Sequence, residues 1–355
     1  MKRTTKYVGL DVHQATTVAS VRDRSGRVIA RAILPTDEAA LGDFFQGMRG
    51  AVNVAFEEGT QAQWLHDLLA PLTHSVTVCN LRGEPRRPGN KADVKDADSV
   101  SRRLLNGDLR SVYHGSANRA LLHDCARAYL NAVEDGTRAM LRLKALYRAR
   151  AIPVAGEQVY SLEHRAEWLS RLGDAGARLR AELLMEQIDL LRKLRPRARL
   201  AMVREARLDP AYEILRSIPF LGPVRVSLLL ATMKTPWRFR TKRNLWAYAG
   251  LAVVTETSAE YTYAHGRPVR RGRKPLTRGL NKNYNRFLKN VLKSAAAASL
   301  GRPGPFRDLY DRMVGGGMRE DMARLTLARK FAAIALRLWR RGELFDATRL
   351  SVQTT

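Results

Sequence analysis

Apolar residues in the first eighty positions recur with a period of two, then of three to four, and the two periods alternate along the chain. Tyr7 to Val12, Thr16 to Val21 and Arg27 to Leu34 read as three short strands. The last two are joined through Asp23, Arg24, Ser25 and Gly26, a polar turn with glycine where a positive φ is needed. A helical pattern runs from Asp37 to Met48. The alternating run Val52-Asn53-Val54-Ala55-Phe56 predicts a fourth strand, Trp64, Leu65, Leu68, Leu69 and Leu72 predict a second helix, and Val76-Thr77-Val78 a fifth strand.

The order βββαβαβ is that of the ribonuclease H-like fold. From Ser116 to about Tyr212 the pattern turns helical and rich in Ala, Leu and Arg. Leu179, Leu183, Leu190 and Leu194 are spaced 4-7-4 along one stripe with Gln187 in the gap, which reads as a coiled-coil seam. Ile152-Pro153-Val154-Ala155-Gly156 interrupts these helices and predicts an antiparallel hairpin. Such a hairpin serves equally as an oligomerisation arm or as an intramolecular helical bundle. Glu157, His164 and Glu167 in this stretch lack metal-ligand spacing. The run from Leu215 to Leu230, with Pro219, Gly222 and Pro223, resembles a helix-hairpin-helix, whose turn offers backbone N–H groups to a phosphate. It departs from the usual Pro-Gly-x-Gly at Phe220. The expected organisation is an α/β domain over residues 1–115, a coiled-coil segment over 116–212, a mainly α domain over 213–345 and a tail over 346–355.

Four acids carry the candidate chemistry. Asp11 sits inside an apolar strand and Glu57 closes the fourth strand, which in this fold lies beside the first. Asp93 and Asp96 are three apart in Lys91-Ala-Asp-Val-Lys-Asp-Ala97, so on a helix start they share a face. Four hard oxygen donors suit two Mg²⁺ ions, with Mn²⁺ as a substitute, bridging a phosphodiester. Like charges so close raise each other's pKa unless a cation neutralises them. Asp93 and Asp96 taken alone are also what a helix N-terminus favours through its dipole. Glu57 competes with Glu58 for the strand-end position.

Charge adds the partner. The chain has 62 Lys plus Arg against 34 Asp plus Glu, a net +28, which points to a polyanion. The excess is uneven, because no acid occurs from Tyr261 to Arg307. That tract holds Arg267, Arg270, Arg271, Arg273, Lys274, Arg278, Lys282 and Arg286, and it is expected to follow a nucleic-acid backbone. A solvated basic face is the bland alternative, but such faces usually mix both signs. Two cysteines, Cys79 and Cys125, do not make a disulfide framework or a structural zinc site. With no apolar leader or long apolar span, the expected compartment is a reducing bacterial cytoplasm, away from membranes.

Asp11, Glu57, Lys91-x-Asp93-x-x-Asp96-Ala97, Ile218-Pro219-x-x-Gly222, Gly250-Leu251, Ser258 and Arg271-Gly272-x-x-x-Leu276, in that order, resemble the DEDD insertion-sequence transposases of the IS-one-ten family and its Piv-type DNA invertase relatives. Ala328-Arg-Lys-Phe-Ala332 looks like the family's closing helix. The resemblance implies a RuvC-like N-terminal domain, a coiled-coil linker and a C-terminal transposase domain whose nucleophilic serine maps to Ser258. The family shows Ser-Gly there, whereas this chain has Ser258-Ala259. It further implies donor and target DNA as substrates, and a bridge RNA that pairs with both. The implied assembly is a homo-oligomer, a dimer or tetramer, in which carboxylates of one protomer work with the serine of another. A junction-resolving nuclease using the same acids, or a site-specific invertase, is the alternative.

Overall fold

The computed structural model describes residues 4–81, 93–114, 120–256, 261–264, 266–270 and 276–350, which divide between two compact units, Met1–Asn118 and Arg119–Thr355. The first unit runs β1 (Thr5–Val12), β2 (Thr16–Arg22), β3 (Val28–Pro35), α1 (Glu38–Gln46), β4 (Ala51–Glu57), α2 (Ala62–Leu69), β5 (Ser75–Cys79) and α3 (Asp93–Asn106). Its five strands form one mixed sheet in the order β3-β2-β1-β4-β5. The first three are antiparallel neighbours, and β4 and β5 run parallel to β1. This mixed α/β arrangement agrees with a ribonuclease H-like domain.

Period-two patterning explains the two faces of the sheet. Val8 and Leu10 of β1 and Val52, Val54 and Phe56 of β4 join Leu41 and Phe45 of α1 and Leu65 and Leu69 of α2 in one core. Asp37 caps α1 by accepting from the Ala40 amide at 2.8 Å, so the helix starts one residue after the predicted point. The opposite face receives α3. Asp98 on that helix accepts from Ser20 Oγ at 2.5 Å and from Arg31 Nη2 at 2.7 Å, and Arg22 Nε donates to Ser101 Oγ at 2.9 Å. The buried hydroxyls of Ser20 and Ser101 are thereby partnered, and α3 is tied across β2 and β3.

The second unit contains α4 (Ala120–Arg148), α5 (Arg165–Ser170), α6 (Ala175–Ala206), α7 (Ala211–Arg216), α8 (Pro223–Met233), α9 (Lys242–Tyr248), β6 (Val253–Glu256), β7 (Tyr261–Ala264), β8 (Arg267–Arg270), β9 (Leu276–Leu280), α10 (Arg286–Ser299), α11 (Pro305–Gly315) and α12 (Glu320–Arg341). The long helices α4 and α6 pack on each other and enter two cores. Ala139, Leu143 and Tyr147 meet Trp168, Ala181, Met185 and Ile188 in one. Leu122, Ala126 and Met202 share the other with Leu215, Leu229, Leu292, Phe306 and Phe331. The middle segment is therefore continuous with the C-terminal third through a common core.

The leucine stripe of α6 takes no part in either core. The side packed on α4 carries Ala177, Ala181, Met185 and Ile188, and each seam leucine is displaced from that face by about half a helical turn. Leu179, Leu183 and Leu190 are each 57% exposed and Leu194 is 37% exposed. Further along, the turn between α7 and α8 places Phe220 at φ 67°, the left-handed region that favours glycine. Phe220 meets the Phe306 ring edge-on at 6.4 Å, and its carbonyl oxygen accepts from Arg225 Nη1 at 2.9 Å. These contacts offset the backbone strain of the departure seen in the sequence. Strands β6 and β9 pair antiparallel, as do β7 and β8; the apolar pattern does not mark these short strands. No helix among the described residues is long and apolar enough to cross a membrane.

Candidate active site

The site is assembled from sheet parity. Leu10 and Phe56 are paired across β1 and β4 and both point into the core beneath α1 and α2. Asp11 and Glu57, one step further on, therefore lie side by side on the other face, the one covered by α3. Strand alternation puts Glu57 rather than Glu58 on that face; the Glu58 amide continues the ladder by donating to the Cys79 carbonyl at 2.8 Å. Asp93 and Asp96 occupy the first turn of α3.

His13 completes the cluster. Its Nε2 lies 3.3 Å from Asp11 Oδ2 and 3.6 Å from Asp93 Oδ1. One ligand atom from each of Asp11, His13 and Asp93 falls within 4.8 Å of the others, a grouping able to hold a metal ion. Asp96 is close enough for its charge to act on Asp11, and Glu57 is placed beside Asp11 by strand register alone. His13 was not among the residues singled out from the sequence. The signal was present, since Asp11 and His13 are two apart at a strand end and so fall on one side.

Burial pushes the Asp11 carboxyl above its ordinary value; the charge of His13 opposes this, while Asp96 and Asp93 raise it further. Asp11 Oδ2 is buried, and no hydrogen bond of normal geometry reaches it among the described residues. A buried, unsatisfied carboxylate oxygen facing a second carboxylate and an imidazole nitrogen is a poor arrangement for bare charges. It is a good one for a divalent cation, which hard oxygen donors and imidazole both accept. A bound divalent cation would satisfy the carboxylates and the imidazole together.

The remaining site residues belong to the second unit. Ser258 and Ala259 lie outside the described residues, as do Arg271, Arg273 and Lys274. Arg267 and Arg270 stand on β8, Arg278 on β9, Lys282 follows β9 and Arg286 opens α10. Arg286 is engaged within its own unit, in an ion pair with Glu134 of α4. Lys289 covers the Tyr284 ring, 4.1 Å from its centroid. Tyr284 in turn lies against Gly250, where an added Cβ would strike the ring and where φ is +63°.

Comparison with known proteins gives two family matches and two relatives. Residues 8–149, which include Asp11, His13, Glu57, Asp93 and Asp96, match a family described as "Transposase". Residues 212–281, which include Ser258 and the first part of the basic tract, match one described as "Transposase IS116/IS110/IS902 family". The chain is similar to the insertion element IS116 uncharacterized 44.8 kDa protein of Streptomyces clavuligerus, 31% identical over 43% of this chain and 35% of that protein. It is also similar to the insertion element IS110 uncharacterized 43.6 kDa protein of Streptomyces coelicolor, 30% identical over 39% of this chain and 31% of that protein. The matched stretch thus spans about a third of the length of these curated relatives.

Proposed function

Because the chain belongs to the IS116/IS110/IS902 transposase family, we propose that it cuts and rejoins DNA strands through a metal site at Asp11, Glu57, Asp93 and Asp96 and a serine nucleophile, Ser258. The observation that carries this reading is the cluster of Asp11, His13 and Asp93, whose ligand atoms lie within 4.8 Å of one another in the segment that matches a transposase family. Asp11, Glu57, Asp93 and Asp96 would hold divalent cations, Mg²⁺ by preference, which when bound would offset the carboxylate charges and supply Lewis-acid polarisation of the phosphodiester.

The chain's own residues do the rest. Asp11 and Glu57 on adjacent strands, with Asp93 and Asp96 on the first turn of α3, fix the donor oxygens on rigid elements. Ser258 Oγ attacks phosphorus and displaces one ester oxygen, giving a phosphoserine and a sugar hydroxyl; attack by the hydroxyl of the second strand restores the serine. The energy of the phosphodiester is kept in the protein–DNA bond between the two steps. Arg267, Arg270, Arg271, Arg273, Lys274, Arg278, Lys282 and Arg286 hold phosphates without reading sequence. Specificity then falls to a bridge RNA pairing with donor and target DNA.

A homo-oligomer is part of the same reading. The 4-7-4 spacing on α6 is palindromic, so a second copy packed antiparallel sets Leu179 opposite Leu194 and Leu183 opposite Leu190. This pairing covers leucines that the chain by itself leaves exposed. The protein works in the bacterial cytoplasm, where its DNA lies.

The test is to purify the protein from cells carrying its native flanking DNA, sequence the RNA that accompanies it, and incubate the complex with Mg²⁺ and junction DNA. A covalent protein–DNA adduct that is lost in Ser258→Ala, together with one discrete RNA, is the expected result. Cleavage without an adduct would move the assignment to a junction-resolving nuclease, which uses the same acids to activate water. Cleavage unchanged in Asp11→Ala would remove the metal site from the reading.

A further inference from the structure

Trp237 is 70% exposed, although the short turn that carries it is held firmly. Its neighbours Pro236 and Phe239 are buried. Arg340 of α12 donates to the Phe239 carbonyl and, at 3.3 Å, to the Pro236 carbonyl. Thr235 Oγ1 accepts from the Trp237 amide at 3.4 Å. The Arg340 guanidinium also lies over the Trp237 ring, 5.4 Å from its centroid. The backbone that carries the indole is thus held in place, and the exposed ring has a cation over one face.

The surroundings are positive and otherwise polar. Arg240, Lys242 and Arg243 follow within a few residues and are all exposed. Between Glu213 and Glu256 the chain has no acid. Among the described residues from 209 to 252, Trp237 is the sole large apolar side chain left exposed. A protein-docking surface would present a cluster of apolar groups with a polar rim. A single rigid aromatic plane among cations fits a nucleobase whose phosphates meet those cations.

We propose that Trp237 is a stacking platform for an unpaired nucleotide, with Arg240, Lys242 and Arg243 receiving the phosphates of the strand that carries it. The base must be unpaired, because within a duplex each base face is already covered by its neighbours. The inference rests on the reading that the chain handles nucleic acid, and it adds the form of nucleic acid and the residue that selects it.

The test uses the full chain with fluorescein-labelled single strands of about 12 nucleotides, one oligo(dT) and one oligo(rU), and a DNA hairpin duplex of equal charge. Binding is read by anisotropy and by quenching of tryptophan fluorescence. Trp237→Ala is expected to weaken single-strand affinity by about 5- to 150-fold, the range set by one lost stacking contact. It should also abolish most of the quenching, and change duplex affinity by less than about twofold. Trp237→Phe should keep single-strand affinity within about threefold, since a smaller ring still stacks. A larger loss on oligo(rU) than on oligo(dT) identifies RNA as the strand held, and the reverse identifies DNA. Unchanged single-strand affinity in Trp237→Ala, or an equal loss on the duplex, overturns the platform while leaving the transposase reading in place. Failure of the wild-type chain to bind any of the three overturns both.

Discussion

Gly9 and Ala97 meet backbone to backbone: a Cβ built on Gly9 falls on the Ala97 carbonyl oxygen and on the Ser101 amide nitrogen. Strand β1 and helix α3 therefore close with no side chain between them, two residues before Asp11 and four residues after Asp93. The absence of a side chain at position 9 is what lets the first turn of α3 reach the carboxylate on β1.

Gly9→Ala should overpack this contact, at a cost of about 1–3 kcal/mol, and should also push Asp93 away from Asp11. The expected outcome is a lower melting temperature together with weakened Mn²⁺ binding, measured by thermal unfolding and by titration calorimetry. A variant that melts earlier but binds metal as the wild type does would separate the helix contact from the site.

Asp11→Asn removes a carboxylate that burial disfavours and that His13, 3.3 Å from Oδ2, offsets in part. Without metal, the variant should unfold no earlier than the wild type, because the desolvated charge is gone. Addition of Mg²⁺ or Mn²⁺ should raise the melting temperature of the wild type and leave that of the variant unchanged. An equal metal-dependent rise in both proteins would place the cation elsewhere.

Asp174 caps α6, accepting from the Ala177 amide at 2.6 Å and from Arg150 Nε at 3.1 Å. That amide first, and then Arg150, hold its carboxyl below the usual range. A lowered folded-state pKa contributes stability that is present above the ordinary carboxylate value and lost as pH falls through the lowered one. Asp174→Ala should therefore melt below the wild type at neutral pH, with the gap closing below about pH 4. Melting curves across that range test it, and a constant gap would show that the cap acts independently of charge.

Leu183 and Leu190 are each 57% exposed, so charge there leaves the fold of the single chain intact. The double variant Leu183→Arg, Leu190→Arg should lower the oligomeric order in light scattering while keeping the helical circular dichroism of the wild type. An unchanged oligomer would free the seam from that role.

Nucleic-acid binding through the basic tract should weaken linearly in log affinity against log salt, with a slope of about −0.9 per phosphate contacted on duplex DNA. Arg267→Ala should reduce the slope by about one and weaken all sequences alike. A flat salt response would sink the phosphate-tracking model.

Local patterning was enough to read most of the first unit. Periods of two and of three to four follow from the geometry of a single strand or helix, and so β1 to β5, α1 and α2 emerge where the apolar spacing places them. The sequence also put Asp11 on the first strand and Glu57 at the end of the fourth, and the register between those strands then placed both on one face. Ser258 was proposed through resemblance to a family, not through any local pattern, and it lies outside the described residues.

What the sequence alone determined, then, is which segments are strands and helices, which acids share an element, and a charge excess that points to a polyanionic partner. Tertiary structure decided which faces meet. His13 joins Asp11 and Asp93 only because α3 crosses β1 at Gly9. The α6 leucines are exposed because alanines and Met185, smaller or more pliant, pack closer to α4. Trp237 stands open because Arg340, about a hundred residues away, fixes its turn. Each of these depends on contacts distant in sequence, chosen by the packing of whole elements, and no local periodicity encodes that choice.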